Sequence, residues 1–240
     1  MWDETYLLSE LPSEAETEEE ANFIFSALNL QPGSRVLDLC CGQGRHGRQL
    51  ANLGADVIGL DNSRFLLNEA KNNADAEGRR LRLIEADMRH IPLKPCCEAV
   101  ISLFTSFGFF EDTDNAKVLS ETASVLKPSG QLLIDYWNPY AVTQLDRTRN
   151  WWWISESTLA LAEVEYQPQS GRLLDHRTII ELPTKAIRKM VNTVRFYFPT
   201  EMKRLLETVG LCIRATYGDF DGSEFTTESR RMITVAEKSG

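Results

Sequence analysis

The chain has 240 residues, 42 % of them hydrophobic and 25 % charged, with a formal net charge of -9 at pH 7. That balance excludes a peptide-sized scaffold, wholesale disorder and a fibrous repeat, and fits one large domain or one domain carrying an insertion. The acidic excess argues against nucleic acid as a partner, because phosphate neutralisation needs clustered Lys and Arg; Lys185, Arg188, Lys189, Arg195, Lys203 and Arg204 leave room for one local patch.

No apolar run is long enough to cross a bilayer, and Met1-Trp2-Asp3-Glu4 does not begin a charged segment followed by an apolar one. Both point to a cytoplasmic protein with no membrane partner. Cys40-Cys41, Cys96-Cys97 and Cys212 show no C-x-x-C spacing, and neighbours in a strand point to opposite faces. They are expected to be reduced, buried small hydrophobes that hold no metal.

In chain order, the acidic run Glu14 to Glu20 leads into apolar positions at helical spacing through Leu28. Arg35–Leu39 reads as a strand, Arg45–Leu53 as a helix, Asp56–Asp61 as a second strand, and Ser63 to about Ala76 as a helix capped by Ser63. Leu81–Ala86 and Ala99–Leu103 are the third and fourth strands. Asp114–Leu126 is a helix stopped by Pro128, and Gln131–Tyr136 is the fifth strand.

Near-continuous apolar strands separated by helices predict a doubly wound, mostly parallel α/β sheet. The rhythm changes at Trp151–Ser157, Leu159–Gln167, Leu173–Leu182 and Arg188–Phe198, which alternate without intervening helices, with a hairpin turn at Gln169-Ser170-Gly171. Pro199–Val209 resumes as a helix closed by Gly210, before strands near Cys212–Tyr217 and Met232–Glu237. The expected organisation is an α/β domain from 1–140 and 196–240 with an antiparallel cap from 141–195.

Val36-Leu37-Asp38-Leu39-Cys40-Cys41-Gly42-Gln43-Gly44-Arg45-His46-Gly47 carries the chemistry. A strand delivers the chain into a glycine turn that opens a helix, so backbone N–H groups face a ligand at close approach. Gly42, Gly44 and Gly47 also spell the dinucleotide signature, with Asp61 at the end of the next strand, so an NAD-dependent oxidoreductase is a competing reading. Asp38 inside a buried strand is costly without a polar partner, and a cationic group would supply one. Glu85-Ala86-Asp87-Met88 offers an acid for an exocyclic amine and a thioether to lie along a flat base.

These residues resemble the class I S-adenosylmethionine-dependent methyltransferases. The match runs over Val36–Gly44, Val57–Asp61, Ala86-Asp87-Met88, Ala99–Leu103 and Leu126-Lys127-Pro128-Ser129-Gly130. Gly44-Arg45-His46, Thr105–Phe110 and the later insertion look most like the small-molecule-directed branch. The resemblance implies a seven-stranded Rossmann-like fold, S-adenosylmethionine as cofactor and an N or O acceptor in a small molecule, with tRNA and protein side chains as the competing acceptors.

By position, it implies cofactor contacts from Asp38, Gly42, Gly44, Asp61, Asn62, Asp87, Met88 and the carbonyl of Leu103. Asp61 would accept from the ribose hydroxyls, Asp87 from the adenine amine, and Leu103 from the methionine ammonium. The departure is Cys41 beside Cys40, where a small residue such as Gly is common, and it predicts a tighter turn.

Methyl transfer from a sulfonium needs mainly alignment, so a base is optional. His46, Asp135 and His176 are the candidate bases, each with a plainer structural reading. Residues near the strand ends suggest an acceptor pocket: Tyr6 as a lid, Thr105, Ser106, Phe107 and Asn138, with Trp153 from Trp151-Trp152-Trp153. In a strand, only Trp151 and Trp153 of that triplet share a face; packing between sheet and domain is the alternative for all three.

Overall fold

The computed structural model describes residues 11–145 and 148–239, which places Tyr6 outside the described residues. Helix α1 (Glu14–Ala27) starts where Ser13 Oγ accepts from Glu16 N while Glu16 Oε2 accepts from Ser13 N at 2.8 Å, closing two otherwise orphaned donors. Then follow β1 (Arg35–Leu39), α2 (Arg45–Asn52), β2 (Asp56–Asp61), α3 (Arg64–Ala76), β3 (Arg82–Glu85), β4 (Cys97–Ser102), α4 (Asp112–Val125) and β5 (Leu126–Trp137). Ser63 caps α3 as expected, accepting from Leu66 N.

The strands order as β10-β11-β5-β4-β1-β2-β3, with β10 (Leu211–Tyr217) and β11 (Arg231–Lys238) supplied by the end of the chain. Only β11 runs against the others, pairing antiparallel with both β5 and β10. Successive β1 residues fill opposite layers. Val36 joins Ala21 and Ile24 of α1, whereas Leu37 joins Val118 and Leu119 of α4 and Met202 and Leu206 of α6 (Pro199–Thr208). Two apolar layers on one sheet are what continuous apolar strands require. The chain reverses its direction of travel between β1 and β4, so the crevice opens at their carboxyl ends.

Two local expectations shift. α4 ends at Val125, not Leu126, and Pro128 lies inside β5: pairing jumps from Cys97–Leu126 to Ala99–Gln131, so Lys127–Gly130 bulge out and the missing proline N–H costs no ladder bond. A short helix α5 (Pro139–Thr143) that the sequence rhythm did not announce begins at the Asn138 cap, with Pro139 at its first position.

The inserted strands β6 (Thr148–Ser155), β7 (Thr158–Gln167), β8 (Arg172–Glu181) and β9 (Ala186–Arg195) form a second, wholly antiparallel sheet. The β7–β8 turn contains Gly171 at φ +64, as the Gln-Ser-Gly signature predicts. One face turns inward, packing Leu173, Val164, Tyr166 and Val194 on the main core. The sheets are tied at Gly108, whose carbonyl accepts from Arg195 N at 2.8 Å; a side chain on Gly108 (φ +105) would collide with the Arg195 carbonyl. All five cysteines are unpaired; Cys97 is buried, but Cys212 on the outermost strand is exposed, contrary to the expected burial.

Candidate active site

At the carboxyl ends of β1, β2 and β4 lies a cavity of about 410 Å³ lined by Cys40, Gly42, Asp61, Asn62, Asp87 and Met88, among others. The turn that shapes it contains three left-handed residues: Gly42 (φ 54), Gly44 (φ 76), which caps α2, and Cys40 (φ 63). Strain therefore falls on Cys40, where a side chain is disfavoured, while Cys41 packs its Sγ against Gly59. A Cβ on Gly59 would come within 2.8 Å of that sulfur.

Asp38 is 3 % exposed and accepts no hydrogen bond among the described residues. Burial pushes its carboxyl up to about 7; the Arg45 charge opposes this and the Asp61 charge adds to it. Asp61 Oδ2 accepts from Gly42 N at 2.9 Å and Oδ1 from Ser63 N at 2.8 Å. Burial raises its pKa against the pull of those N–H donors. Asp87 is the opposite case: the Arg89 guanidinium, 2.7 Å away, holds its carboxyl below the usual range. Arg89 also donates to Asp114 and stacks 4.2 Å from the Phe110 ring. Burial and the neighbouring carboxylates push the Cys40 and Cys41 thiols well above their ordinary range.

The opposite wall begins at Phe104, where two consecutive residues other than glycine, Phe104 (φ 52) and Thr105 (φ 61), leave β4 in the left-handed region. Asp135 holds them there: Phe104 N donates to its Oδ2 at 2.8 Å, and Thr105 N donates to its backbone carbonyl at 3.0 Å. Arg231 grips both oxygens of the fully buried Asp135. The guanidinium carbons of Arg45 and Arg231 lie 4.0 Å and 4.8 Å from the Phe104 ring centroid.

The three candidate bases sit differently. His46, 5 % exposed, donates to Glu20 Oε2 at 2.8 Å, and burial lowers its pKa against the pull of that carboxylate. Asp135 is consumed by Arg231 and Phe104. His176 is exposed on the outer face of the second sheet.

Of the expected pocket residues, Ser106 lines the cavity and Thr105 stands beside it. Phe107 does not reach it: at 3 % exposure it packs against Tyr197 in the core, leaving Phe104, Phe109 and Phe110 as the aromatic wall. Asn138 is also withdrawn, its amide donating to the Thr226, Thr227 and Ser229 carbonyls. Trp153 is 52 % exposed on the outer face of the second sheet. The Leu103 carbonyl accepts from both the N–H and the hydroxyl of Ser106. Val191, Asn192 and Thr193 of β9 complete the lining; they carry no motif, and only the sheet topology brings them there.

A glycine turn, acids on successive strand ends and a crevice at the switch point define a fold that grips a nucleoside. The family model described as "Methyltransferase domain" matches residues 36–130. The glycine/sarcosine N-methyltransferase of Aphanothece halophytica is 29 % identical over 232 residues, 93 % of this chain and 83 % of that one. The CcbJ methyltransferase of Streptomyces caelestis matches with a TM-score of 0.80 at 20 % identity, over 96 % of this chain and 94 % of its own. CalS10 of Micromonospora echinaspora, an amino pentose methyltransferase solved with S-adenosylmethionine bound, matches at 0.70 and 21 % identity, over 98 % and 95 %. The matched domain, the relatives and the fold together support a class I S-adenosylmethionine-dependent methyltransferase.

Proposed function

We propose that this enzyme methylates an amine nitrogen of a small molecule, with S-adenosylmethionine seated in the cavity at the strand ends. The observation that carries the reading is the buried, unpartnered Asp38 flanked by Asp61 at a glycine turn: an arrangement costly in isolation and matched by a cationic amino-acid tail on a nucleoside. A cavity of about 410 Å³ is of the size that holds such a ligand. The cofactor supplies a methyl carbon already activated by positive sulfur.

The residues divide the work. Asp61, oriented by Gly42 and Ser63, keeps a free lone pair on each oxygen for the ribose hydroxyls. Gly42 and Gly44 let the backbone approach the methionine part, Asn62 sits at the ribose end, and Asp87 and Met88 edge the base. Because Ser106 occupies the Leu103 carbonyl, the ammonium leans on Asp38. The amine nitrogen attacks the methyl carbon, the carbon–sulfur bond breaks with its electron pair going to sulfur, and the nitrogen sheds its proton to solvent. No side-chain base is required, since alignment supplies most of the acceleration.

Residues 141–195 act as a cap whose β9 edge, at Val191–Thr193, faces the acceptor. The amine substrate of the Aphanothece enzyme and the net charge of -9 both favour a small cationic or neutral amine over tRNA. Among the described residues no helix is long and apolar enough to cross a membrane, and five unpaired thiols suit a reducing cytoplasm.

Calorimetry with S-adenosylhomocysteine and with NADH, followed by methyl-transfer assays on small primary and secondary amines, tests this. Binding of S-adenosylhomocysteine alone, with turnover of an amine, is expected. Binding of NADH in its place would end the proposal.

A further inference from the structure

Leu173 of β8 and Val194 of β9 stand opposite each other and pack on the main core. Two residues further along each strand, on the same inward face, Asp175 stands opposite Asn192. Of the three β9 residues that line the cavity, Asn192 is therefore the one whose side chain is on the inward face. Its Nδ2 is buried and has no hydrogen-bond partner. Across the ladder, Asp175 Oδ2 accepts from Arg177 Nε at 2.7 Å, while Oδ1 is buried and unpartnered. Buried polar atoms without partners are few in folded proteins and each costs stability, and here two of them belong to facing residues beside a cavity. A carboxylate only accepts, so it decides which end of the amide turns to it: the NH2 faces Asp175 and the carbonyl oxygen faces away. Asn192 Oδ1 accepts no hydrogen bond among the described residues and is not enclosed, which makes it the side-chain acceptor that Asn192 offers to the cavity.

We infer that Asn192 Oδ1 takes an N–H of the acceptor amine, and that Asp175, itself anchored by Arg177, holds the amide with its oxygen toward the cavity. The inference rests on the amine-methylation reading above and adds which amines are substrates. An attacking nitrogen commits its lone pair to the methyl carbon, so only an N–H is left for recognition. A neutral primary amine has two and a secondary amine one, and both donate to Oδ1 while the lone pair stays on the line of attack. In each transfer the nitrogen–carbon bond forms, the carbon–sulfur bond breaks with its electrons going to sulfur, and the nitrogen then releases a proton to solvent. A neutral tertiary amine has no N–H to give. Binding one leaves the amide oxygen desolvated without a donor, the kind of loss by which a hydrogen-bonding site rejects an analogue. The site is thus built for a first and a second methylation and against a third. Asn192 is a specificity-determining residue and Asp175 a positioning residue.

Methyl transfer is measured on the full chain with glycine, sarcosine and N,N-dimethylglycine, and with ethanolamine and its N-methyl and N,N-dimethyl derivatives, counting added methyl groups by mass spectrometry. In at least one series the wild type should convert the primary and secondary amines and stop there, with kcat/KM for the tertiary amine at least about 100-fold lower. Asn192→Leu should lower kcat/KM for the secondary amine about tenfold or more. Asp175→Leu, which frees the amide to rotate, should raise KM for that amine more than it lowers kcat. Asp175→Asn keeps an acceptor opposite Nδ2 and should restore most of the loss, which an ion pair serving only the fold would not allow. Calorimetry with S-adenosylhomocysteine on every variant reports the cofactor site separately; if Asn192→Leu has lost it, Asn192→Ala gives the same reading. A third methyl added as readily as the second, Asn192 variants as active as the wild type, or two Asp175 variants that behave alike would overturn the inference and leave amine methylation standing. No transfer to any of these amines by a chain that binds S-adenosylhomocysteine would overturn it together with the reading it rests on.

Discussion

The two sheets put the same backbone pairing to opposite uses. In the parallel sheet every central strand is buried on both faces, and two of its buried carboxylates have fixed partners, Asp61 in two N–H donors and Asp135 in Arg231, while Asp38 has none among the described residues. In the antiparallel sheet one face is packed and the other is open, and the ion pairs, such as Arg149–Glu163, lie near solvent. On the proposed reading, the buried polar groups of the first sheet serve a cofactor held in one geometry, and the open-faced second sheet is free to vary with the acceptor.

The comparison breaks first at Arg231. Replacing it with Met leaves the Asp135 carboxylate buried beside a single N–H donor, which should cost about 3–5 kcal/mol of stability in urea unfolding. A loss under about 1 kcal/mol would show that the parallel sheet does not depend on that pair. Asp61→Ala should weaken S-adenosylhomocysteine binding by about 10- to 100-fold, the value of a hydrogen-bonded charged acceptor, and should lower the melting temperature as well because Gly42 N and Ser63 N lose their acceptor.

A third test sharpens the electrostatic contrast. The folded pKa of Asp38, about 7, lies above the ordinary 3.8, so the folded state favours its protonated form. That contribution is complete below about pH 4 and is lost as pH rises through about 7. Wild-type urea midpoints should therefore decline across this window, and Asp38→Asn should flatten the decline; parallel profiles would place the titration elsewhere. The smallest effect is expected from the other sheet. His176→Ala, on the exposed face, should alter kcat by less than about threefold in an amine-methylation assay, and a fall of 100-fold or more would return it to catalytic candidacy.

What the sequence revealed follows the same division. The strands of the main sheet were legible because burial on both faces demands unbroken apolar runs, and the glycine turn because left-handed backbone demands Gly at 42 and 44. The inserted strands were legible as alternation, and the opposed orientations of Trp151 and Trp152 with it, but alternation does not say which face meets the domain. α5 escaped because five residues are too few to show a period. The partnership of Arg231 with Asp135 spans 96 residues and leaves no local trace. Phe107 and Asn138 were misplaced for a related reason: standing at a strand end does not decide whether a side chain turns toward the crevice or back into the core.

One feature of the crevice also carries an evolutionary consequence. Cys40, Phe104 and Thr105 hold a backbone shape that glycine adopts freely, and Cys40 and Phe104 do so on the wall of the cavity. Cys40→Gly should therefore raise the melting temperature, being worth about 1 kcal/mol, at no loss of cofactor affinity. Glycine at 104 or 105 would relax the chain yet slacken the aromatic wall that the proposed acceptor would meet. Selection for heat tolerance and selection for turnover thus act in the same direction at the first of these positions and in opposite directions at the other two.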